Sequence, residues 1–265
     1  MNNLILIVTI IILVIILIIK ETVKFPNRNN NSFTNQSNII IITRFSIFDC
    51  NANSWQLKRE STDCSMIRNK LFDNKRLETK LNAFRQITYK SISEQTNQNF
   101  IWLIYISNIY PEKYLKIMKD IINSSHIRNK IRLIPVQSMS EFMSNCSVQL
   151  KKISPSDNFI SVRLDDDDGL SPNFLSALIK YKDKSRHIIS FPKGINITLK
   201  DNRVIYGSEI MYKKIALGLS AVNMNIYSCG SHTKVDQKYP VIYDYLNKSY
   251  YLFCSQQTDT KREFK

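Results

Sequence analysis

Four carboxylates stand in a row, Asp165-Asp166-Asp167-Asp168, behind the apolar run Phe159 to Leu164 and ahead of Gly169-Leu170-Ser171-Pro172. Neighbouring unit charges about 4 Å apart repel by roughly 1 kcal/mol in water and about 4 kcal/mol at the effective dielectric of a protein surface, so the run calls for a cation. Side chains alternate along an extended backbone, which predicts Asp165 and Asp167 on one side and Asp166 and Asp168 on the other, one D-x-D pair each way. Hard oxygen ligands of this kind suit Mg²⁺ or Mn²⁺ shared with substrate phosphates. A solvated acidic loop would carry the same letters. The apolar run before the acids and the helix start after them favour a site, because acids so flanked fall at the carboxyl end of a buried strand, where open α/β sheets hold their ligands.

The elements that must position this run alternate in type. Ile39 to Thr43, Phe100 to Ile106, Ile131 to Val136 and Phe159 to Leu164 are apolar runs of the kind buried on both faces of a sheet. Between them, Leu77, Leu81, Phe84, Thr88 and Ser91 fall on one helical face, and Tyr114, Leu115, Met118, Ile121 and Ile122 on another, with Pro111 suited to a first turn. Ser138 with Glu141 forms a capping box before Phe142. This spacing predicts an α/β domain with a mostly parallel sheet flanked by helices. After Pro172 a short helix carries Phe174, Leu175, Leu178 and Ile179, Ile188 to Phe191 reads as a strand, and Ile195 to Leu199 with Val204 to Tyr206 reads as a hairpin turning at 200–203. The stretch from Met211 to Cys254 is expected to pack beside the sheet.

The N-terminus has a different composition. Leu4 to Ile19 is apolar except for Thr9 and ends at Lys20; at about 1.5 Å per residue it reaches roughly 24 Å, enough for an uncleaved single-span transmembrane helix in a thin membrane. Residues 1–20 are therefore expected to be an anchor and 21–37, rich in Asn and Ser, a stem. The domain follows over 38–255, with 256–265 as a frayed tail. Lys20, Lys24 and Arg28 on the downstream side favour a cytosolic domain by the positive-inside rule. The 265 residues carry 37 Lys and Arg against 22 Asp and Glu, a formal charge of +15 that suits anionic partners. The basic residues are dispersed, with no interleaved aromatic stripe, so nucleic acid is not an expected partner. Five cysteines without a C-x-x-C pair indicate neither a zinc site nor a full disulfide set, and buried free thiols are expected. Cys50 with Cys64 is a pair that would close in an oxidising lumen.

Taken together, Ile42-Thr43-Arg44-Phe45, Trp55, Leu71-Phe72, Gln95 followed by Asn99-Phe100-Ile101-Trp102-Leu103, and Arg163 to Asp168 resemble the rhamnosyltransferase family of GT-A-type glycosyltransferases, over roughly Asn38 to His232. The T-R-F and R-L-D-D-D-D segments are the specific ones. The resemblance implies a Rossmann-like GT-A domain transferring a sugar, rhamnose by the family name, from a nucleotide-sugar donor to a glycan, protein or lipid acceptor, with Mn²⁺ or Mg²⁺ as cofactor. It implies that Thr43, Arg44, Arg163, Asp165 and Asp166 bind the donor and that Asp167, Asp168 and His232 hold the metal. Glu209 and Asp236 are the candidates for the base that takes the acceptor hydroxyl's proton. Analogy with anchored glycosyltransferases points to a lumenal domain, against the charge rule. Two other readings compete: a phosphohydrolase or phosphotransferase with Asp165 as nucleophile, disfavoured because Gly169 stands where such enzymes usually place Thr or Val, and a non-catalytic carbohydrate-binding or scaffold protein of the same fold.

Overall fold

The computed structural model of the chain describes residues 38–51, 63–246 and the backbone of 250–253. The expected anchor and stem, Trp55 and the 256–265 tail lie outside these residues. Among the described residues no helix is long and apolar enough to cross a membrane.

The four apolar runs form the central strands β1 (Ile39–Phe45), β2 (Ile101–Ser107), β3 (Ile131–Val136) and β4 (Ile160–Arg163). β1 pairs in parallel with β2 on one side and β4 on the other, and β2 pairs in parallel with β3. The chain thus lays β1, β2 and β3 outward, then returns across β1 to add β4. Such a reversal is where open α/β sheets hold their ligands, beyond the carboxyl ends of the strands.

Both faces of these strands are covered, as their unbroken apolar letters require. On one face Ile39, Ile41 and Phe45 of β1 and Trp102 and Ile104 of β2 pack with Leu77, Leu81, Phe84 and Met118. On the other, Ile40, Ile42, Leu103 and Tyr105 pack with Phe142, Cys146 and Leu150. The helices that supply these residues begin with α1 (Cys64–Leu71) and α2 (Asn74–Ala83), the latter capped by Asp73, whose carboxylate accepts from the Arg76 N–H at 2.9 Å. A π-helical turn over Phe84–Tyr89 leads from α2 into α3 (Lys90–Ser93). The helices α4 (Glu112–Asn123) and α5 (Met139–Ile153) complete the layers. At the start of α5 the Glu141 N–H donates to the Ser138 hydroxyl at 3.1 Å, but the Glu141 carboxylate accepts from the Gln137 N–H at 2.6 Å, one residue ahead of the reciprocal partner a capping box would use.

The sheet is less parallel than its first half. It continues from β4 through β9 (Ser220–Val222), β6 (Ile188–Ser190) and β10 (Val241–Tyr243), and β9 runs antiparallel to both neighbours. The segment after Met211, expected beside the sheet, therefore supplies two of its strands. Each is three residues long, too short for a period to register in the sequence. A second sheet, in the order β5, β11, β7, β8, contains β5 (Gly169–Leu170), β7 (Lys193–Lys200), β8 (Arg203–Met211) and β11 (Tyr250–Phe253). Its β7–β8 hairpin is the expected one: Lys200 pairs with Arg203 across Asp201 and Asn202, whose φ values of 50° and 59° give the left-handed two-residue turn that matches strand twist. The short helix after Pro172 is α6 (Phe174–Leu178).

Candidate active site

β4 stops at Arg163, and the acids beyond it turn: the Asp168 N–H donates to the Asp165 carbonyl at 3.4 Å. The strand alternation expected across Asp165 to Asp168 is therefore replaced by a different division. Asp165 is held by Arg163, with Nη2 to Oδ2 at 3.2 Å and Nε to Oδ1 at 3.4 Å. Asp166 and Asp167 instead share the Lys80 ammonium, at 2.7 and 3.5 Å, and all three side chains are buried. Asp168 is buried beside them. The turn closes against the α2–α3 helical run because residue 169 has no side chain: a Cβ there would stand 3.2 Å from Ile87 and 3.4 Å from Ser91. The Leu170 N–H donates to the Ser91 hydroxyl at 3.1 Å. Gln95 pins the next residues, its amide donating to the Ser91 and Ser171 carbonyls at 2.9 and 2.7 Å and its oxygen accepting from the Leu175 N–H at 3.1 Å. The Gln of the family-like segment thus works as a clamp on the acid-bearing loop.

On the opposite face of the sheet, Arg44 and Arg163 lie over the Tyr227 ring, 4.9 and 5.4 Å from its centroid. Tyr227 comes from a single helical turn over Ile226–Cys229. Burial opposes ionisation of Asp165, but Arg163, Arg44 and Lys80 outweigh it and bring the carboxyl down to about 2. Burial also drives the Tyr227 hydroxyl up, against the pull of Arg44 and Arg163, to about 12, so the phenol stays protonated. A carboxyl depressed in the folded state stabilises the fold above its unfolded pKa of about 3.8 and loses that contribution as pH falls toward 2. With a third of the side chain exposed, the contribution is about 1 kcal/mol after screening. Unfolding free energies of the wild type and Asp165→Asn from urea titrations should differ by that amount at pH 5 and converge between pH 4 and 2; a gap that stays constant to pH 2 would mean Asp165 is not the group responsible.

Thr43, expected to meet the donor nucleotide, is fully buried, and its hydroxyl accepts from the Trp102 indole N–H at 2.9 Å. The reason is register: residues 39, 41 and 45 of β1 face the α2 layer, Thr43 shares that face, and only Arg44 is turned toward Tyr227. Trp102 is fully buried as well and belongs to the core. Replacing Thr43 by Val should strand the indole N–H at a cost of about 1–3 kcal/mol in unfolding free energy. Donor KM should be unchanged; a selective rise in KM at full stability would return Thr43 to the donor site.

His232 opens the short 3₁₀ segment His232–Gln237, its Nδ1 donating to the Lys214 carbonyl oxygen at 2.8 Å. Asp236 is tied to Lys214 at 2.6 Å on the surface, a hydrogen bond that lowers its pKa and weakens it as a base. Glu209 is exposed on β8. Among the described residues no three His, Cys, Asp or Glu side chains form a group that would hold a metal ion, Asp167, Asp168 and His232 included. Asp166, Asp167 and Asp168 are adjacent, buried carboxylates at a strand end, and the Lys80 ammonium stands against the first two. Arg44 Nε, Ser107 Oγ and Tyr110 OH, toward the ends of β1 and β2, are buried without a hydrogen-bond partner.

Lys80 and Tyr227 are the residues that sequence reading missed. Lys80 left a trace, being a charge three residues after Leu77 and four before Phe84, inside the apolar face of α2. Tyr227 left none. Cys50 and Cys64, the pair named as able to close, are disulfide-bonded, with Cα atoms 5.4 Å apart. Cys146 and Cys229 are free and buried, and burial pushes their thiols up to about 12 and about 11, away from nucleophilic use.

Fold and site together define an α/β protein whose Arg163 and Lys80 side chains meet a run of carboxylates just beyond the β1–β4 reversal. Within that class the chain belongs to a glycosyltransferase family: residues 38–264 match the family model described as "Putative rhamnosyl transferase". No curated protein sequence matches it. Similar solved structures include S. aureus TarS 1-349 in complex with UDP, at 11% identity and a TM-score of 0.43 over 82% of this chain and 60% of that one. The same TarS fragment with UDP-GlcNAc gives 10% identity and a TM-score of 0.43, covering 86% and 59%. Mouse xyloside xylosyltransferase 1 in its apo form gives 10% and 0.27, covering 60% and 51%. The chain spans about 60% of the length of the TarS fragment.

Proposed function

We propose that the chain is a membrane-anchored glycosyltransferase that moves a sugar, rhamnose in the first instance, from a nucleotide-sugar donor to a glycan, protein or lipid acceptor, with Mg²⁺ or Mn²⁺ as cofactor. The observation that carries this reading is the meeting of Arg44, Arg163 and Lys80 with the carboxylates of Asp165 to Asp168 beyond β1 and β4, in a chain of this family. The three cations supply positive charge for a diphosphate, and the orphaned Arg44 Nε supplies a donor without a competing partner. Asp165, kept ionised and oriented by Arg163, is suited to accept from sugar or ribose hydroxyls. Asp167 and Asp168 are the acids that would meet the ion, which the donor diphosphate would share. When bound, the ion neutralises the donor diphosphate and stabilises the charge that grows on it as the glycosidic bond breaks. The Cys50–Cys64 disulfide favours a lumenal or otherwise oxidising side of the membrane for the domain.

The test is incubation of the full 265-residue chain, in detergent micelles, with a panel of nucleotide-sugars and Mn²⁺ or Mg²⁺, reading nucleoside diphosphate release. Release from at least one donor, abolished by EDTA, is expected. Cleavage of simple phosphomonoesters without sugar transfer would replace this reading with phosphotransfer from Asp165.

A further inference from the structure

Past the acid turn a cavity of about 130 Å³ lies between the α2–α3 helical run and the β7–β8 hairpin. It shares Gly169 and Leu170 with the acid-bearing loop, so its wall begins one residue after Asp168. We propose that this cavity binds a saccharide and receives the acceptor, which makes the acceptor a glycan rather than a bare protein or lipid. Calling the occupant the acceptor rests on the reading of the chain as a sugar transferase; the saccharide chemistry of the cavity does not.

The walls are fixed to each other at two places. Ile197 of β7 packs with Ala83 and Ile87, joined by Leu199 and Val204, and at the hairpin tip the Asn82 amide donates to the Asn202 side-chain oxygen at 2.8 Å. Between the walls Ile87, Ile197 and Val204 present aliphatic surface. The hairpin wall adds the ring of Tyr206, which is 64% exposed on the outermost strand of the second sheet. The helical wall adds Gln86, Lys90 and Glu94, which recur every four residues and so form one row. Their amide, ammonium and carboxylate make no hydrogen bond or ion pair among the described residues. Gln86 and Ile87 belong to the π-helical turn, a distortion found frequently at functional sites.

This set of side chains selects by chemistry. Lys90 and Glu94 offset each other, so the lining calls for neither an anion nor a cation. Gln86 both donates and accepts, Lys90 donates and Glu94 accepts, while the three aliphatic side chains and the Tyr206 ring call for carbon. A sugar ring answers both demands, with C–H faces for the apolar surface and hydroxyls that donate and accept. Apolar walls carrying a few oriented polar groups are what small-ligand sites share. The volume is several times the roughly 30 Å³ of one water and below the roughly 300–1,000 Å³ of sites for drug-sized molecules, which suits a single ring of a glycan.

The experiment is saturation-transfer difference NMR on the full 265-residue chain, in micelles of a detergent without a sugar headgroup. The probes are the methyl glycosides of rhamnose, mannose, galactose and N-acetylglucosamine, with no nucleotide-sugar present. At least one glycoside should receive saturation from the protein. Tyr206→Ala and Glu94→Ala should each weaken its Kd about 10-fold, the equivalent of about 1.4 kcal/mol. Ile205→Ala is the control: strand alternation puts residue 205 on the face away from Val204 and Tyr206, and its Kd should match the wild type. No saturation of any glycoside would overturn the proposal. So would binding that Tyr206→Ala and Glu94→Ala leave at wild-type strength, or that Ile205→Ala weakens equally. Glycoside binding by a protein that releases no nucleoside diphosphate from any donor would count against the transferase reading and leave the saccharide site standing; release without glycoside binding would do the reverse.

Discussion

Asp167→Ala is expected to lower nucleoside diphosphate release from the preferred donor by about 100- to 1,000-fold while leaving the protein folded. The size follows from what one preorganised electrostatic group is worth to charge developing in a transition state, about 10²–10³ in kcat. Retention of the fold follows from the unequal sharing of Lys80. Its short contact, at 2.7 Å, goes to Asp166, and the Asp167 contact is the longer one at 3.5 Å, so removing Asp167 leaves the buried ammonium with its nearer partner. The loss should appear mainly in kcat, and EDTA should have little further effect on the variant, since the wild type's metal response would already be missing. A circular dichroism melt within about 2 °C of the wild type would separate lost chemistry from lost structure. Release at the wild-type rate would remove Asp167 from the site.

The largest effect on stability is expected at Trp102. Truncation to Ala removes a fully buried ring from a cluster with Phe84 and Tyr89, whose centroids lie 5.7 and 6.3 Å from it, and deprives the Thr43 hydroxyl of its donor. Buried aromatic-to-Ala changes cost about 3–5 kcal/mol through lost transfer energy and the cavity left behind. For a domain of this size that corresponds to a fall in melting temperature of roughly 6–20 °C. The substitution should also reach the site, because Phe84 and Tyr89 belong to the π-helical turn that follows the Lys80-bearing helix. Calorimetric unfolding measures the first effect. A loss below 1 kcal/mol would mean that the ring is not packed as the core requires.

The two positions show where residue letters suffice. Trp102 sits in a run with no polar break, and such a run is stable only with both faces covered, so its burial could be read before any coordinates. The same holds for β1 through β4, for the helical face through Leu77, Leu81 and Phe84, and for the hairpin turning at Asp201-Asn202: each depends on a local period or a turn residue. The family, too, was legible, because its T-R-F and R-L-D-D-D-D segments are contiguous. Thr43 and Arg44 mark the limit. They are adjacent in the same motif, but register sends one to the Trp102 indole and the other to Tyr227.

By itself, then, the sequence determined that an acidic run follows a buried strand of an α/β sheet and is flanked by a helix start. That follows from burial patterns and turn chemistry within a dozen residues. Only the tertiary structure decided which charges face the acids. Lys80 lies 86 residues before Asp166, and Tyr227 lies 64 residues after Arg163. Their meeting depends on the order in which the strands are laid into the sheet and on the short β9, none of which carries a period of its own. The division of the four acids, Asp165 to Arg163 and Asp166 with Asp167 to Lys80, came from the backbone turn after β4, because a turn cancels the strand alternation that the letters alone would impose.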